Sequence, residues 1–259
     1  MNVLMNLISL YNHLPMDSTY RSVIKEILNH LESMADATIF DVAEITASSR
    51  TTIWRMIKML GYDSYSEFHH ELKKIITQYS YYNWSLPVSK ESNNKEVIHM
   101  ASELLAESGK LVKEFISEQL LIQIVEHLYK ADHISFYDFP STSVYFLIQN
   151  LAMSGKSAGV FNLWPEMLAD AKYLTCNSVV FAYPIEAQDM KDLTPVLKLV
   201  KKNKATLILG SLSNNRYGSY ADYSLFPSKL SLTYPLSIRY AFEMLLMMIS
   251  ELYRIKYIL

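Results

Sequence analysis

The sequence predicts a helical N-terminal domain followed by an α/β domain whose five strands form a mostly parallel sheet. Up to about residue 78, the strongly patterned segments have the apolar spacing of amphipathic helices. Between residues 78 and 95 this periodicity stops, and Ser, Asn and one Pro accumulate. From residue 96 onward, helical stretches alternate with short β-branched and aromatic runs, which is typical of βαβ units. The predicted domains are therefore residues 1–77 and 96–259, joined by a linker at 78–95.

Composition limits the classes of protein to which the chain can belong. Of its 259 residues 50% are apolar, and 24 basic against 26 acidic residues give a formal net charge of −2. Such a chain can bury a sizeable core, which excludes global disorder. The single cysteine, Cys176, allows neither an internal disulfide nor a cysteine-based zinc site within one chain. We therefore expect a cytoplasmic protein.

Neither a signal peptide nor a membrane span is predicted. No Lys or Arg precedes Arg21, so the N-terminus lacks the charged region of a signal peptide. The longest apolar run, Met244–Ile249, is far shorter than the roughly 20 residues that cross a bilayer. We therefore expect no membrane partner.

Three helical segments are predicted in the first third of the chain. Residues 20–34 place apolar side chains at i, i+3 and i+4 spacing, which predicts one amphipathic helix. Thr38, with Asp41 three residues later, resembles a capping box in which Asp replaces the usual Glu or Gln. Residues 66–78 form a further predicted helix.

The second part of the chain alternates predicted strands with predicted helices. The strands are predicted at residues 133–137, 157–161, 178–183, 205–209 and 223–226. The helices are predicted at residues 96–108, 118–129, 143–154, 165–173, 190–202 and 236–254. The runs NSVVFAY and ATLILG are continuously apolar, as expected for strands buried on both faces of a parallel sheet.

Residues 42–60, VAEITASSRTTIWRMIKML, have the spacing of a helix-turn-helix. Ala43 is small enough for two helices to cross closely, Ala47 lies at the turn, and a serine at 48 or 49 can cap the second helix. Apolar side chains at Ile53 and Met56 would point back into a small core. The first domain is therefore predicted to be a helix-turn-helix bundle.

The outward face of the second helix carries the candidate DNA-binding residues. They are Ser49, Arg50, Thr51, Trp54, Arg55 and Lys58. No acidic residue lies between Ser48 and Leu60, so we expect the three positive charges to be unopposed and available to phosphates and base edges. The alternative is an ordinary three-helix interaction module with a solvated cationic face.

The distribution of charge qualifies this prediction. Residues 1–84 hold 7 basic and 9 acidic residues, a net charge of −2, whereas residues 85–259 hold 17 of each. The helical domain is thus slightly acidic overall, and its positive charge is concentrated on one helix face. We expect modest non-specific affinity for DNA and a homodimer or homotetramer that binds a two-fold site on double-stranded DNA.

The run from Ser48 to Leu72 resembles the N-terminal domain of the RpiR-type bacterial transcriptional regulators. The matching residues are Ser49, Thr52, Ile53, Arg55, Leu60, Gly61, Tyr62, Phe68 and Leu72. The sequence departs from the family pattern at Ala47 and Ser48, where the family usually has Gly and an apolar residue. The resemblance implies a helix-turn-helix that regulates transcription of sugar or amino-sugar metabolism genes.

The family joins this domain to a C-terminal SIS domain, a parallel-sheet fold that senses a phosphosugar and holds the oligomer together. The alternating elements from Glu118 onward look like such a domain, and EHLYKADHISFYDF resembles the approach to its first strand. The resemblance therefore implies an SIS-like second domain, with a phosphosugar as candidate effector.

The phosphate-binding loops of SIS domains are not matched. Residues 137–141 read YDFPS where the family has Gly-x-Gly-x-Ser, and Asp138 is expected to repel a phosphate. After the third strand, residues 184–188 read PIEAQ, which is acidic and lacks hydroxyls. Ser141, Thr142 and Ser143 are the candidate effector-binding residues, although an N-cap cluster is the commoner role of such residues.

Catalysis is the alternative function. A phosphosugar isomerase of the SIS type needs a phosphate cradle and an acid/base pair, and the cradle is lost from this sequence. The adjacent His69 and His70 point in different directions on a helix, so they are poor joint metal ligands. We therefore predict a regulator without catalytic residues, cofactor or metal site.

Overall fold

The structure is a computed structural model that describes residues 2–78, 86–138, 142–183, 192–210, 217–226, 232–234 and 236–259. These residues form two compact units. The first contains the described residues within Met1–Asn83 and Asn162–Glu166, and the second contains those within Trp84–Phe161, Met167–Glu186 and Asp192–Leu259. Among the described residues, no helix has the length and apolar character needed to cross a membrane.

The first unit is helical. Its helices are α1 (Val3–His13), α2 (Thr19–Asn29), α3 (Leu31–Met34), α4 (Ile39–Ile45), α5 (Arg50–Met59) and α6 (Tyr65–Thr77). Their apolar faces share one core that includes Leu7, Ile24, Ile27, Ile53, Met56, Ile57, Phe68 and Leu72. Helix α1 is not among the predicted helices, and its buried Val3, Leu7 and Leu10 contribute to this core.

The single helix predicted for residues 20–34 is wrong, because the chain leaves helical geometry at His30. There φ is −124° and ψ is 33°, which separates α2 from α3. The His30 Nδ1 atom lies 2.9 Å from the carbonyl oxygen of Glu26, and the His30 N–H bonds to Ile27, three residues back. The apolar spacing continues through this break, so the pattern alone does not reveal it.

The second unit is an α/β domain. Its elements are α7 (Asn94–Phe115), α8 (Glu118–Lys130), β1 (His133–Tyr137), α9 (Ser143–Met153), β2 (Ser157–Phe161), α10 (Trp164–Ala171, which belongs to this unit from Met167 onward), β3 (Ser178–Ala182), α11 (Thr194–Lys202), β4 (Thr206–Leu209), a 3₁₀ turn (Gly218–Tyr220), β5 (Tyr223–Ser224) and α12 (Ser237–Tyr257). The five strands form one sheet in the order β2-β1-β3-β4-β5, and every pair is parallel. The predicted α/β class and sheet are confirmed.

Side chains alternate between the two faces of the sheet. On one face, Ile134, Phe136, Val179, Phe181 and Ile208 join the apolar core formed with α8, α9 and α12. On the other face, β1 presents His133, Ser135 and Tyr137, whose polar atoms all meet Asp170 of α10. Both faces of the central strands are therefore covered, as the apolar runs predict.

Helix α12 is fixed at its beginning by a carboxylate from α7. Glu107 accepts hydrogen bonds from the N–H groups of Thr233 and Tyr234 at 2.8 and 3.0 Å, and from the Ser237 hydroxyl. Burial alone would raise the pKa of Glu107, but these hydrogen bonds outweigh it and hold the pKa below its usual value. This contact ties the two long helices of the unit together.

Candidate nucleic-acid interface and effector edge

Helices α4 and α5 form the predicted helix-turn-helix. Val42 of α4 and Ile53, Met56 and Ile57 of α5 are buried in the core of the first unit. Ser49 caps α5, because its hydroxyl accepts a hydrogen bond from the Thr52 N–H at 3.1 Å. Because these buried residues of α5 pack into the core, the opposite side of the helix faces outward.

The turn between the helices is a Schellman motif with alanine in the position that favours glycine. The Ser48 N–H bonds to the Ala43 carbonyl at 2.9 Å, and the Ala47 N–H bonds to the Glu44 carbonyl at 3.1 Å. Ala47 has φ of +46°, in the left-handed region where a side chain costs free energy. The departure from glycine at this position leaves the motif intact but strained.

Replacing Ala47 with glycine should therefore stabilise the protein. Glycine adopts the left-handed region without steric cost, so we expect Ala47→Gly to raise the free energy of unfolding by about 1 kcal/mol. Urea unfolding followed by circular dichroism measures this. A fall in stability would show that the alanine methyl group contributes more through packing than it costs in strain.

The end of α5 is a second Schellman motif, built on the Leu-Gly-Tyr sequence. Gly61 has φ of +90°; its N–H bonds to the Lys58 carbonyl at 3.0 Å, and the Tyr62 N–H bonds to the Ile57 carbonyl at 3.2 Å. The turn returns the chain alongside the helix and places the Asp63 carboxylate 2.9 Å from Lys58 Nζ.

The sequence-predicted contact residues lie on one side of α5. Ser49, Arg50, Thr51, Trp54 and Arg55 are exposed, and Lys58 is half-buried. The expectation of three unopposed charges is wrong for Lys58, because Asp63 beyond the helix end is its ion-pair partner. Lys58 Nζ also lies 5.4 Å from the centre of the Trp54 ring.

The two arginines of this face have different surroundings. The Arg50 guanidinium lies 4.5 Å from the centre of the Phe40 ring, which belongs to α4. Arg55 is exposed and has no ion pair or ring contact within the described part of the chain. The sequence pattern indicates both arginines but not Phe40, which carries no charge and precedes residues 42–60.

The second candidate region is the edge of the sheet where the parallel strands end. Strand β1 pairs with β2 on one side and with β3 on the other. The chain thus runs outward from β1 to β2 and then returns to β3 on the opposite side of β1. The carboxyl ends of β1 and β3 therefore flank the point at which the strand order reverses. Ligands of open α/β sheets bind at such switch points. Asp138 follows β1 here, and Tyr183 follows β3.

This edge is acidic and aromatic where the family's loops are rich in glycine. Asp138 is 1% exposed, has φ of +62°, and donates its N–H to the Phe161 carbonyl at 3.1 Å. The Tyr183 ring stacks on Phe242 with 4.4 Å between ring centres. Gly210 follows β4 directly against this pair, and a Cβ atom there would lie 2.9 Å from Tyr183 Cδ2 and overlap the Phe242 ring.

Charges near the edge have mixed signs. Burial raises the pKa of the Tyr183 hydroxyl; the nearby Arg239 opposes this shift, whereas Glu243 and Asp138 add to it. Among the described residues, the charged groups that influence Tyr183 are therefore one guanidinium and two carboxylates. The repulsion of phosphate by Asp138 stays a prediction.

The candidate effector residues are only partly described. Ser141 lies outside the described residues, as do Phe139, Pro140 and the whole of 184–188. Thr142 is the N-cap residue of α9, and in the described part of the chain its side chain makes no capping hydrogen bond. Ser143 begins α9 and is half-buried. The effector role of these three residues stays a prediction.

A buried polar network lies on the α10 side of the sheet. The Asp170 carboxylate accepts hydrogen bonds from Ser135 Oγ at 2.7 Å and from the Tyr137 hydroxyl at 2.6 Å, and His133 Nε2 lies 3.0 Å from it. Burial alone would raise the pKa of Asp170, but these hydrogen bonds hold it below its usual value. The hydrogen bond to Asp170 raises the pKa of His133.

This network predicts how stability depends on pH. The ionised Asp170 stabilises the fold at pH values above its unfolded pKa of 3.8, and this stabilisation is lost as the pH falls through its lower folded pKa. The protonated His133 stabilises the fold at pH values below its unfolded pKa of 6.5, and this stabilisation is lost as the pH rises through its higher folded pKa. The stability difference between wild type and His133→Gln should therefore be largest between about pH 4 and 6.5 and shrink toward pH 8. Urea unfolding at several pH values measures it, and a constant difference would contradict the assignment.

Among the residues that the structure describes, no group of three or more His, Cys, Asp or Glu side chains is arranged to hold a metal ion. Cys176 is exposed. The two candidate sites in the described part of the chain are the outward face of α5 and the edge of the sheet.

Comparisons with known proteins found similarity in both parts of the chain. Residues 1–79 match the family model described as the helix-turn-helix domain of the rpiR family. The structure of the Vibrio vulnificus NanR protein complexed with ManNAc-6P is 20% identical with a TM-score of 0.50, over 99% of this chain and 92% of that one. The sugar isomerase domain of an RpiR transcription factor from Sphaerobacter thermophilus is 10% identical with a TM-score of 0.49, over 63% of this chain and 92% of that one.

No curated protein sequence matches the chain significantly. The resemblance to RpiR-type regulators is nonetheless confirmed for the helix-turn-helix by the family model. The similarity to the NanR structure over 99% of this chain confirms the predicted fold, in which a helical region is followed by an α/β domain with a parallel sheet.

Proposed function

We propose that this chain, an rpiR-family helix-turn-helix domain joined to an SIS-like α/β domain, is a cytoplasmic transcriptional regulator of sugar or amino-sugar genes that binds double-stranded DNA through α5. The observation that carries the proposal is the outward face of α5. There, polar and cationic side chains lie exposed opposite a helix face fixed in the core. The proposed contact residues are Ser49, Arg50, Thr51, Trp54, Arg55 and Lys58.

The geometry of α5 suits a major groove. Ten residues give a helix about 15 Å long, and a capped N-terminus followed by exposed residues is what a recognition helix brings to base edges. Arg50 and Arg55 are the proposed partners of guanine or phosphate, Ser49 and Thr51 supply short polar contacts, and Lys58 contributes backbone charge. Since Asp63 pairs with Lys58, the arginines carry most of the free positive charge.

Oligomerisation is part of this proposal. The first 84 residues have a net charge of −2, so one copy attracts the DNA backbone only weakly. Two copies on a two-fold operator double the number of specific contacts. We therefore propose a homodimer or homotetramer, with residues 1–77 as the DNA-binding domain, 78–95 as the linker and 96–259 as the effector and oligomerisation domain.

A phosphosugar is the proposed effector. Support comes from the SIS-like fold and from its similarity to a protein solved with ManNAc-6P. Thr142 and Ser143 at the start of α9, together with Ser141, are the proposed hydroxyl donors. Arg239, whose positive charge lowers the pKa of Tyr183 against the effect of burial, is a cation near the Tyr183 end of this edge.

The acidic edge supports a second candidate role for this domain. Buried Asp138 and the Tyr183–Phe242 stack favour a domain that has lost phosphosugar sensing and mainly oligomerises, or binds another ligand. A thermal-shift panel separates the two roles. An effector at 100 times its Kd stabilises the protein by about 2.7 kcal/mol. Stabilisation by a phosphosugar, but not by its unphosphorylated sugar, would contradict the second role.

We propose that the chain regulates transcription and does not isomerise sugars. An SIS-type isomerase with an accessory helical domain is the competing function, and turnover of hexose or pentose phosphates by the purified protein would support it. The direct test of regulation is selection of bound duplexes from random DNA, with and without sugar phosphates. We expect a two-fold symmetric sequence to be enriched, and its enrichment to change when the effector is present. Failure to enrich any sequence would contradict the proposal.

A further inference from the structure

Phe40 is a large aromatic residue in the first turn of α4 that contributes little to the core. Its side chain is 63% exposed, whereas its neighbour Val42 is 2% exposed. An exposed phenylalanine is not unusual by itself. Phe40 differs because its ring lies against the Arg50 guanidinium, 4.5 Å from ring centre to Cζ. This contact links the first turns of the two helices of the helix-turn-helix.

The backbone that carries Phe40 is firmly held. Thr38 and Asp41 form a complete capping box, with Thr38 N–H donating to Asp41 at 2.7 Å and Asp41 N–H donating to Thr38 at 3.3 Å. The Tyr65 hydroxyl donates to the Ala37 carbonyl at 2.5 Å, and Lys73 pairs with Asp36 at 2.6 Å. Contacts from α6 thus hold the residues that lead into α4, and with them the backbone from which the Phe40 ring projects.

Arg50 occupies a position that is unfavourable for the stability of α5. It is the first residue of the helix, where the partial positive charge of the helix end disfavours a cation, and the first turn contains no acidic residue. The contact with the Phe40 ring, 4.5 Å from Arg50 Cζ, offsets part of this repulsion. A guanidinium held against a ring by such a contact still has N–H groups around its edge that can bind a bidentate acceptor.

We propose that Phe40 is a positioning residue for DNA recognition, because its ring holds the Arg50 guanidinium ready to bind a guanine edge or a phosphate. A preordered arginine loses less side-chain freedom on binding, and this raises affinity without a new contact. The inference rests on the proposed DNA-binding function of α5. It assigns a role to a residue of α4 that lies outside the predicted contact set.

A double-mutant cycle on the selected duplex tests the inference. The variants are Phe40→Ala, Arg50→Ala, the double variant, Phe40→Tyr and Phe40→Leu, each measured by fluorescence anisotropy. We expect Phe40→Ala to weaken binding by about 3- to 10-fold, and the double variant to bind no more weakly than Arg50→Ala. Phe40→Tyr keeps the ring and should bind like wild type, whereas Phe40→Leu keeps apolar bulk without a ring and should bind like Phe40→Ala.

Two controls show whether a Phe40 substitution weakens binding because Arg50 is no longer positioned, because the protein is less stable, or because exposed apolar surface is lost. Met16 is 83% exposed in the first unit, so Met16→Ala is the matched control and should leave affinity unchanged. Circular dichroism and melting should be alike for all variants, and rescue by Phe40→Tyr covers the case in which Phe40→Ala unfolds. The inference would be overturned if Phe40→Ala or Phe40→Leu bound the duplex with wild-type affinity. It would also be overturned if the loss of affinity in the double variant equalled the product of the losses in the two single variants. Either result would leave the proposed DNA-binding function standing. Absence of specific binding by the wild-type protein would overturn both.

Discussion

Arg55→Ala should weaken binding to the selected operator by about 1–3 kcal/mol, which is roughly 5- to 150-fold. Arg55 is exposed on α5 with no ion pair or ring contact among the described residues, so its guanidinium is available to DNA. A guanine or phosphate contact made by such a group is lost on truncation, and a guanine contact would also relax preference at one base pair. Gel-shift titration of the variant against the selected duplex measures the change.

Lys25→Ala is the matched control for Arg55→Ala. Lys25 is an exposed residue of α2, so its removal changes the net charge of the domain equally without touching α5. We expect its effect to be small and removed by salt, because it acts only through long-range attraction. Equal losses in the two variants would show that Arg55 acts through general charge, and an unchanged affinity of folded Arg55→Ala would exclude it from the interface.

Asp170→Ala should destabilise the second unit by about 3–5 kcal/mol. The substitution leaves the hydroxyl groups of Ser135 and Tyr137 without the acceptor that both use, in a region where β1 is covered by α10. Each buried polar group that loses its partner costs about 1–3 kcal/mol. Urea unfolding followed by circular dichroism at pH 6 measures the loss.

Two variants show whether that loss comes from the network. Tyr137→Phe removes one donor and keeps Asp170, so it should cost only about 1 kcal/mol. Asp132→Ala removes an exposed carboxylate whose side-chain hydrogen bond, at 3.0 Å, comes from Asn177, and should change stability by at most about 1 kcal/mol. A loss in Asp170→Ala no larger than in Asp132→Ala would contradict the structural role of the network.

The sheet was predictable because its strands are short apolar runs buried on both faces. In β3, Val179 and Phe181 meet one core while Val180 and Ala182 meet the other side, so the whole run is apolar. The edge strand β5 is shorter than predicted, ending at Ser224 although Leu225 and Phe226 are buried. Those two side chains complete the core without extending the ladder, and a hydropathy pattern does not separate these cases.

Other features leave no clear signal in the apolar pattern. The break at His30 interrupts a pattern that continues beyond it. Helix α7 extends beyond its predicted range at both ends, because Asn93 caps its first turn and Leu111 and Val112 near its end are buried in the core. The polar side chains His133, Ser135 and Tyr137 alternate along β1, which was a visible signal for a shared partner. Asp170, 33 residues beyond Tyr137, becomes that partner only in the folded chain.

On the α5 face, the contact residues could be predicted from the sequence, but the partners of their charged groups could not. Helical periodicity separates buried Ile53 and Met56 from outward Arg50 and Arg55, so the candidate contact residues follow from the sequence. The partners of the cations do not: Asp63 reaches Lys58 only because the chain reverses at Gly61, and Phe40 reaches Arg50 only because the two helices cross. The sequence pattern does not predict side-chain partners that depend on the tertiary structure.

Sequence-specific DNA binding is the proposed role of α5. Fluorescence anisotropy measures it when the wild-type protein is titrated against its selected duplex and against a scrambled duplex of the same length and composition, at one salt concentration. We expect an affinity at least about 1,000-fold higher for the selected duplex. Equal affinities for the two duplexes would contradict it.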